Sequence, residues 1–159
     1  MKKTDFTPEE WTVLYSAPSL AGMVVSASSP SGPIGLMKEM FSVGMAVAES
    51  AKAKPSNPLI QSLIEDMKQG GTKPPRPEGV GNMEQARAYG LGQLQKAADI
   101  LAQKNAGPVG DEFKAWLVDT ARRVAAASNE GGFLGFGGVR VTPQEEEAIK
   151  QIASALRVG

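Results

Sequence analysis

Residues 119–147 read DTARRVAAASNEGGFLGFGGVRVTPQEEE and predict two helices joined by a glycine-rich loop. The first part is the end of an amphipathic helix, in which apolar side chains recur every three to four positions. Thr142, Pro143 and Glu145 then supply a capping threonine, a proline in the first helical position and a glutamate that completes a capping box. The stretch therefore predicts a helical hairpin, and we expect the other segments to be helices that pack against it.

The remaining sequence repeats these signals and predicts an all-α fold, with six or seven helices in one compact bundle. Pro18 predicts a kink or a break in the first helix, because proline lacks the amide that the helix needs. Gly90 and Gly92 predict close backbone packing within a later helix. The first predicted helix starts at the Thr7 cap, and the second spans Ile34 to Ala53. The next two run from the Asn57 cap to Gly70 and from the Asn82 cap to about Lys104. The last two start near Asp111 and at the Thr142 cap.

A chain of 159 residues is expected to form a single domain, 1–159, with 70–81 as an internal connector rich in proline and glycine. Two segments offset by 100 positions share small residues and glycines. This similarity predicts two helical hairpins related by a pseudo-twofold axis. The matched positions are 24–28 with 124–128, Gly32 with Gly132, and Gly35 with Gly135.

The composition excludes several classes of function. The chain contains no cysteine and no histidine, which removes disulfides, Cys/His metal sites and every catalytic relay that needs either residue. Its 17 Lys and Arg balance its 17 Asp and Glu, so there is no basic footprint for nucleic acid. We expect no enzymatic activity, because Glu65, Asp66, Asp99 and Asp119 fall at solvent-facing helix positions. No cofactor is predicted apart from a candidate Ca²⁺ or Mg²⁺ ion, and whether an apolar bundle holds one depends on a pocket that the sequence does not reveal.

The start of the chain bears on its compartment. Residues 1–11 pass from lysines into an acidic helix start without an apolar leader, so a cytoplasmic location is expected. Residues 11–37 carry no charge and are long enough to span a membrane, but prolines, glycines and serines interrupt them. A buried helix is the favoured interpretation, and peripheral association with a membrane is not indicated.

Oxygen ligands for a divalent cation lie on both sides of the glycine-rich loop. Asn129 and Glu130 precede it, and Glu145, Glu146 and Glu147 follow it, a donor set suited to Ca²⁺ or Mg²⁺. The alternative is that the first of these three glutamates is a helix cap and the next two are solvated charges at a helix start. Both interpretations stay open at this point.

The loop itself carries Phe133, Leu134 and Phe136 among glycines, followed by Arg140. It lacks the Gly-Lys-Ser/Thr end of a P-loop and the GxGxxG register, which argues against a nucleotide site. The apolar side chains either fold back as plugs on the bundle or stand exposed as anchors for a protein partner. These four residues are the predicted partner-binding set.

The run VAAASNEGG, followed by VTPQEEEAIKQIASAL, resembles the TerB-like tellurite-resistance family. The matching positions are 126–130 and then 142, 143, 145 and 146, which lie in roughly the last quarter of the chain. Asn129 stands where the family has an acidic residue, and FLGFGGVRV is inserted at 133–141. The resemblance implies a helical, internally duplicated fold, acidic metal sites and a role in membrane-linked stress complexes.

From this resemblance we expect a non-enzymatic interaction module in a stress-linked or assembly-linked complex. Its target would be another protein or a second copy of the chain. One alternative is a regulatory protein that binds a divalent cation through residues 129–147. A further alternative is a small-ligand carrier, which would have an apolar cavity between its helices.

Overall fold

The computed structural model describes residues 1–28, 44–45, 47–49, 56–74, 79–129 and 141–159, with the backbone alone at 127–129. The described part contains a short 3-10 helix, five long α-helices and no strand, so the predicted all-α class is confirmed. Residues 44, 45 and 47–49 are helical as well. The elements are the 3-10 helix Lys3–Asp5, α1 Pro8–Ser26, α2 Pro58–Gln69, α3 Met83–Gln103, α4 Gly107–Asn129 and α5 Pro143–Leu156.

One apolar core holds the described helices together. α1 packs against α3, α4 and α5, while α2 reaches the core through its contact with α4. The largest fully buried apolar side chains are Trp11, Leu14, Leu59, Leu63, Leu94, Phe113, Leu117, Ile152 and Leu156. Every α-helix contributes to this set, so burial of an apolar face fixes each of them in the bundle.

α1 and α5 begin with the capping boxes that the sequence predicts. Thr7 accepts a hydrogen bond from the Glu10 amide, and Thr142 accepts one from the Glu145 amide, both at 3.2 Å. In return, each glutamate accepts a bond from the amide of its threonine at 2.8 Å. The boxes differ in burial, since Glu145 is 1% exposed and the Glu10 side chain is 22% exposed.

We expect Thr142→Ala to lower the free energy of unfolding by about 2 kcal/mol and Thr7→Ala to lower it by about 1 kcal/mol. The loss is larger for Thr142 because its partner in the capping box, Glu145, is buried. The Thr142 hydroxyl also donates to the Glu145 carboxylate at 3.0 Å, and this bond is partly buried. Urea unfolding followed by circular dichroism measures both losses. Equal losses in the two variants would show that burial of the glutamate does not strengthen its cap.

α1 runs through Pro18 without a break, so of the predicted kink or break, the break is wrong and the kink stays a prediction. Pro18 cannot donate to the Leu14 carbonyl, and this single missing bond is the local cost. Side chains on both sides of it are buried, including Trp11 before the proline and Val24 and Val25 after it. Burial of both halves in the same core outweighs the lost bond and keeps the helix continuous.

α4 begins at Gly107 rather than near Asp111, so the predicted start is wrong. Pro108 lies in the first turn, where an amide has no intrahelical acceptor to lose. The Gly110 amide donates to the Ala106 carbonyl at 3.3 Å, and a Cβ on Gly110 would come within 2.7 Å of the Ala106 Cβ. The glycine therefore permits a tight first turn instead of preventing one.

α3 crosses α1 at Gly90, in agreement with the predicted close packing. A Cβ on Gly90 would lie 2.5 Å from the Val24 Cγ2 atom and 3.4 Å from the Leu20 carbonyl oxygen. The absence of a side chain therefore lets the two helices approach. The same prediction for Gly92 is wrong, because that residue is exposed and nothing lies within 4 Å of a Cβ built on it.

Other predictions concern segments that are described only in part. Of the helix predicted at 34–53, the described residues are 44, 45 and 47–49, and they are helical. Gly70 ends α2 in the left-handed conformation with φ of 63°, as predicted, and residues 71–74 form no helix. The pseudo-twofold duplication depends on loop glycines outside the described residues and stays a prediction. Within the described part, every helix is too short or too polar to cross a membrane.

Candidate functional site

An apolar groove lies between α1, residues 44, 47 and 48, α2 and the start of α3. Its volume is about 920 Å³, which falls at the upper end of the range of roughly 300–1,000 Å³ for small-molecule sites. Buried residues from three helices form its floor. They are Leu20, Gly22 and Ser26 of α1, Ile64 of α2 and Ala86 of α3.

Three methionines form much of the wall, Met23 from α1, Met67 from α2 and Met83 at the start of α3. Met83 is 38% exposed, which is a large exposure for an apolar side chain of this size. Methionine is flexible and polarisable, so it packs against apolar partners of different shape. The wall can therefore adjust to what enters the groove.

Among the described lining residues, the charge of the groove comes from one side chain. Lys68 is the single ionisable group among its described lining residues, and the polar remainder includes Ser19 and Asn82 at the exposed rim. Lys68 lies in the last turn of α2. It forms no ion pair with any residue in the described ranges. The groove thus combines an apolar interior with one cation at its edge.

A smaller cavity of about 230 Å³ lies between the end of α3, the start of α4 and Arg157. Its charged side chains pair within the chain. Lys114 contacts Asp111 at 2.8 Å, and Arg157 contacts Asp99 at 2.5 Å. This cavity is below the usual size of a ligand site and carries no unbalanced charge from these groups.

Glu145, the first of the predicted cation ligands, serves as a helix cap. Its carboxylate accepts bonds from the Thr142 amide at 2.8 Å and from the Thr142 hydroxyl at 3.0 Å. Glu146 and Glu147 are exposed, and Glu147 accepts a bond from Gln151 at 3.2 Å. The cap interpretation of Glu145 is therefore confirmed.

The other predicted ligands contribute no described side chain. Asn129 is the last residue of α4, with only its backbone described, and Glu130 lies outside the described residues. Across the described ranges, no three acidic side chains are grouped closely enough to hold a metal ion. The site for Ca²⁺ or Mg²⁺ stays a prediction.

Asp66 is 7% exposed, so its predicted solvent-facing position is wrong. Its carboxylate accepts hydrogen bonds from Lys3 Nζ at 2.7 Å, from Trp11 Nε1 at 2.8 Å and from the Thr72 hydroxyl. A Cβ on Gly71 would clash with the Asp66 carboxylate, so the chain after α2 passes close to this group, and Thr72 is within reach of it. Asp66 thereby ties the N-terminus, α1 and the segment after α2 together.

The environment of Asp66 also decides its charge. Burial raises the pKa of the Asp66 carboxyl, but the hydrogen bonds from Lys3, Thr72 and Trp11 together outweigh burial and leave the pKa below its ordinary value. A general base that works near neutral pH needs a pKa closer to 7. Asp66 is therefore an ionised structural anchor, and its bonds leave it poorly suited to accept a proton.

The remaining candidate bases lie where the sequence predicts, on the surface. Glu65 is exposed, Asp99 pairs with Arg157, and Asp119 accepts a bond from Arg123 one turn later at 2.7 Å. Exposed ion pairs of this kind contribute little to stability. None of the three lines the groove.

The predicted partner-binding residues Phe133, Leu134, Phe136 and Arg140 lie outside the described residues. Both interpretations of the loop, as a plug and as an exposed anchor, stay predictions. The groove, in contrast, was missed by sequence reasoning. Met23 and Met67 have the spacing of core residues, and their spacing alone does not distinguish the wall of an open groove from a closed core.

Comparisons of the chain with protein-family profiles, with curated proteins and with solved structures found no match. They neither support nor refute the TerB-like resemblance, which remains a prediction from the last quarter of the chain. Function is therefore inferred from the groove and from the groups that surround it.

Proposed function

We propose that this protein is a non-enzymatic binding module that takes a small apolar ligand into the groove between α1, α2 and the start of α3. The observation that carries the proposal is the groove itself, about 920 Å³ in volume with a floor of buried residues from three helices. A concave apolar surface in water binds apolar molecules, because transfer of their surface out of water is favourable.

The exposed methionine supports a binding role over a purely structural one. Met83, which lines the groove, is 38% exposed. An exposed apolar side chain beside a concave surface is typical of a ligand or partner site. The cost of its exposure to water is recovered when a ligand covers it.

The surroundings of the groove favour binding without catalysis. Lys68 is the single ionisable side chain among the described lining residues, and no carboxylate joins it there. General acid–base catalysis needs a group of suitable pKa within hydrogen-bond reach of the reacting atom. The described lining supplies one exposed lysine, a few uncharged polar groups such as Ser19 and Asn82, and otherwise apolar contacts, which suits a carrier.

We expect the neutral fluorescent probe N-phenyl-1-naphthylamine to bind the wild-type protein with a saturable rise in fluorescence. Ser19→Trp should weaken this binding by about tenfold or more, because Ser19 is an exposed rim residue and an indole there enters the groove. The matched control is Ala115→Trp, which places the same side chain at an exposed position of α4 outside the groove.

Thermal unfolding of both tryptophan variants checks that the fold is intact. Equal probe binding by wild type, Ser19→Trp and Ala115→Trp would place the probe elsewhere and contradict the proposal. Absence of any saturable binding by the folded wild type would contradict it as well.

A second proposal follows from the TerB-like resemblance, namely an interaction module for a stress-linked or assembly-linked complex. The 51% exposure of Met45 supports it, because an exposed methionine suits an adaptable protein contact. Native mass spectra of untagged protein, purified gently from its own host, separate the two proposals. A mass above the bare chain by a small organic molecule supports the carrier, and a mass that includes a second protein supports the module.

A further inference from the structure

We propose that the ligand of the groove is a free fatty acid, with its acyl chain against the apolar floor and its carboxylate beside Lys68. This inference rests on the proposed binding function and adds the chemical class and the orientation of the ligand. It follows from the position of Lys68, the one charged side chain of the described lining, relative to the apolar volume.

The charge of the lining selects an anion. Lys68 is the single ionisable group among the described lining residues, so a cationic head group would meet a like charge and no carboxylate there. Glu65, one turn earlier on α2, is exposed and does not line the groove. A carboxylate at the rim would give Lys68 an ion-pair partner, which the described chain does not supply.

The position of Lys68 sets the orientation. It is exposed in the last turn of α2, whereas Ile64, one turn earlier on the same helix, is 7% exposed on the floor. A lysine can lay its methylene stem along an apolar wall while its ammonium group stays in water. The apolar end of a ligand therefore meets Ile64 and its head group meets Lys68, which matches an amphiphile with one polar end.

A free amphiphile fits the groove better than a membrane surface does. Stable attachment to an anionic membrane needs several basic residues or a second anchor, and the groove has one described lysine in a chain with 17 cationic and 17 anionic side chains. The site is also a concave volume rather than a flat or protruding apolar face. One lysine is enough for one carboxylate but not for a lipid surface.

The test uses three ligands with the same apolar chain, namely laurate, dodecanol and dodecylamine, each competing with N-phenyl-1-naphthylamine for the full-length protein at neutral pH. We expect wild type to bind laurate about fivefold more tightly than dodecanol, and dodecylamine more weakly than either. Lys68→Met should make laurate and dodecanol equal, since it keeps an apolar stem without the charge. Lys68→Glu should reverse the order of laurate and dodecylamine.

The matched control is Lys96→Glu, which makes the same charge change at an exposed position of α3 outside the groove. It should keep the wild-type order of the three ligands. The preference for laurate should also shrink at high salt, because salt screens exposed charges.

Equal affinity of wild type for laurate and dodecanol, or an unchanged preference in Lys68→Glu, overturns the fatty-acid inference while leaving the groove as a binding site. Failure of all three ligands and of the probe to bind overturns the proposed function itself. A third outcome would also overturn the inference. If the protein sediments with vesicles of phosphatidylcholine and phosphatidylglycerol and free laurate does not displace it from them, Lys68 binds a membrane surface.

Discussion

Asp66→Ala is expected to lower the free energy of unfolding by about 3 kcal/mol. The main reason is the Trp11 indole, which is 2% exposed and donates to the Asp66 carboxylate at 2.8 Å. Without the carboxylate this N–H is left buried without its acceptor, which costs about 1–3 kcal/mol by itself. Lys3 is 47% exposed and can turn to water, so loss of its ion pair adds less.

The matched control is Asp111→Ala, which removes a carboxylate that also bonds a lysine, at 2.8 Å, but is 73% exposed. It should cost about 0.5 kcal/mol or less. Urea unfolding of the two variants measures the difference. Trp11→Phe gives a second check, because Asp66→Ala should cost less in that background, where no indole N–H remains to be satisfied.

The Asp66 anchor also predicts how stability depends on pH. The pKa of Asp66 in the folded chain lies below its ordinary value of 3.8, so the ionised carboxylate favours the folded state above that value. The contribution is lost as the pH falls through the folded pKa. The advantage of wild type over Asp66→Asn should therefore shrink as the pH falls below about 4.

The comparison with Asp66→Asn is needed because another group titrates in the same direction. Hydrogen bonds from Lys104 and from the Thr7 amide hold the pKa of Glu10 below its usual range. Acid destabilisation of wild type alone therefore contains both contributions. A gap between wild type and Asp66→Asn that stays constant with pH would show that the Asp66 charge is not what the three donors stabilise.

Gly90→Leu is expected to lower the free energy of unfolding by about 3 kcal/mol. Its Cβ alone would lie 2.5 Å from the Val24 Cγ2 atom, and Val24 is fully buried. The Leu20 carbonyl oxygen, at 3.4 Å, belongs to the backbone of α1 and cannot turn aside. Extra carbon atoms in such a contact force α1 and α3 apart, at a cost of about 1–3 kcal/mol or more.

Gly92→Leu is the matched control on the same helix, because nothing lies within 4 Å of a Cβ at that exposed position. It should raise stability by up to about 0.8 kcal/mol, since leucine is a better helix former than glycine. Gly90→Leu should therefore lower the free energy of unfolding and Gly92→Leu should raise it, and this difference in sign tests whether α1 and α3 cross at Gly90. Similar effects of the two leucines on the urea midpoint would contradict that crossing.

The Gly90 crossing is also connected to the groove. The Met23 Cε atom lies 3.4 Å from a Cβ on Gly90, and Met23 is part of the groove wall. Gly90→Ala adds a single carbon atom that contacts both Val24 and Met23, so it should weaken probe binding as well as lower the free energy of unfolding. Gly92→Ala should change neither the wall nor the affinity for the probe.

Much of the secondary structure was predictable because its signals are local. The Thr7 and Thr142 boxes, the Asn57 and Asn82 caps and the left-handed Gly70 each satisfy backbone groups within a few residues of their own position. The helix-period spacing of apolar residues then identified the core-facing sides. A residue and its near neighbours carry all the information that these predictions need.

The candidate site was not predictable in the same way. Asp66 occupies a helix position that reads as solvent-facing, and its three donors come from Lys3, Trp11 and Thr72, of which the first two lie 63 and 55 positions away. Likewise, the methionines of the groove share their periodicity with residues of the closed core. Periodicity tells which face of a helix is apolar, but not whether a neighbouring helix covers it.

Residue types and short spacings are enough to predict the all-α class, the capped starts of the helices and the exclusion of cysteine and histidine chemistry. The packing of the helices was needed to establish that α1 continues through Pro18, that Gly90 and Gly92 have opposite surroundings, and that Lys68 lies at the edge of an apolar groove. These outcomes depend on which helices pack against each other. That packing is selected by the free energy of burying apolar side chains that lie far apart in the sequence, so short-range patterns do not reveal it.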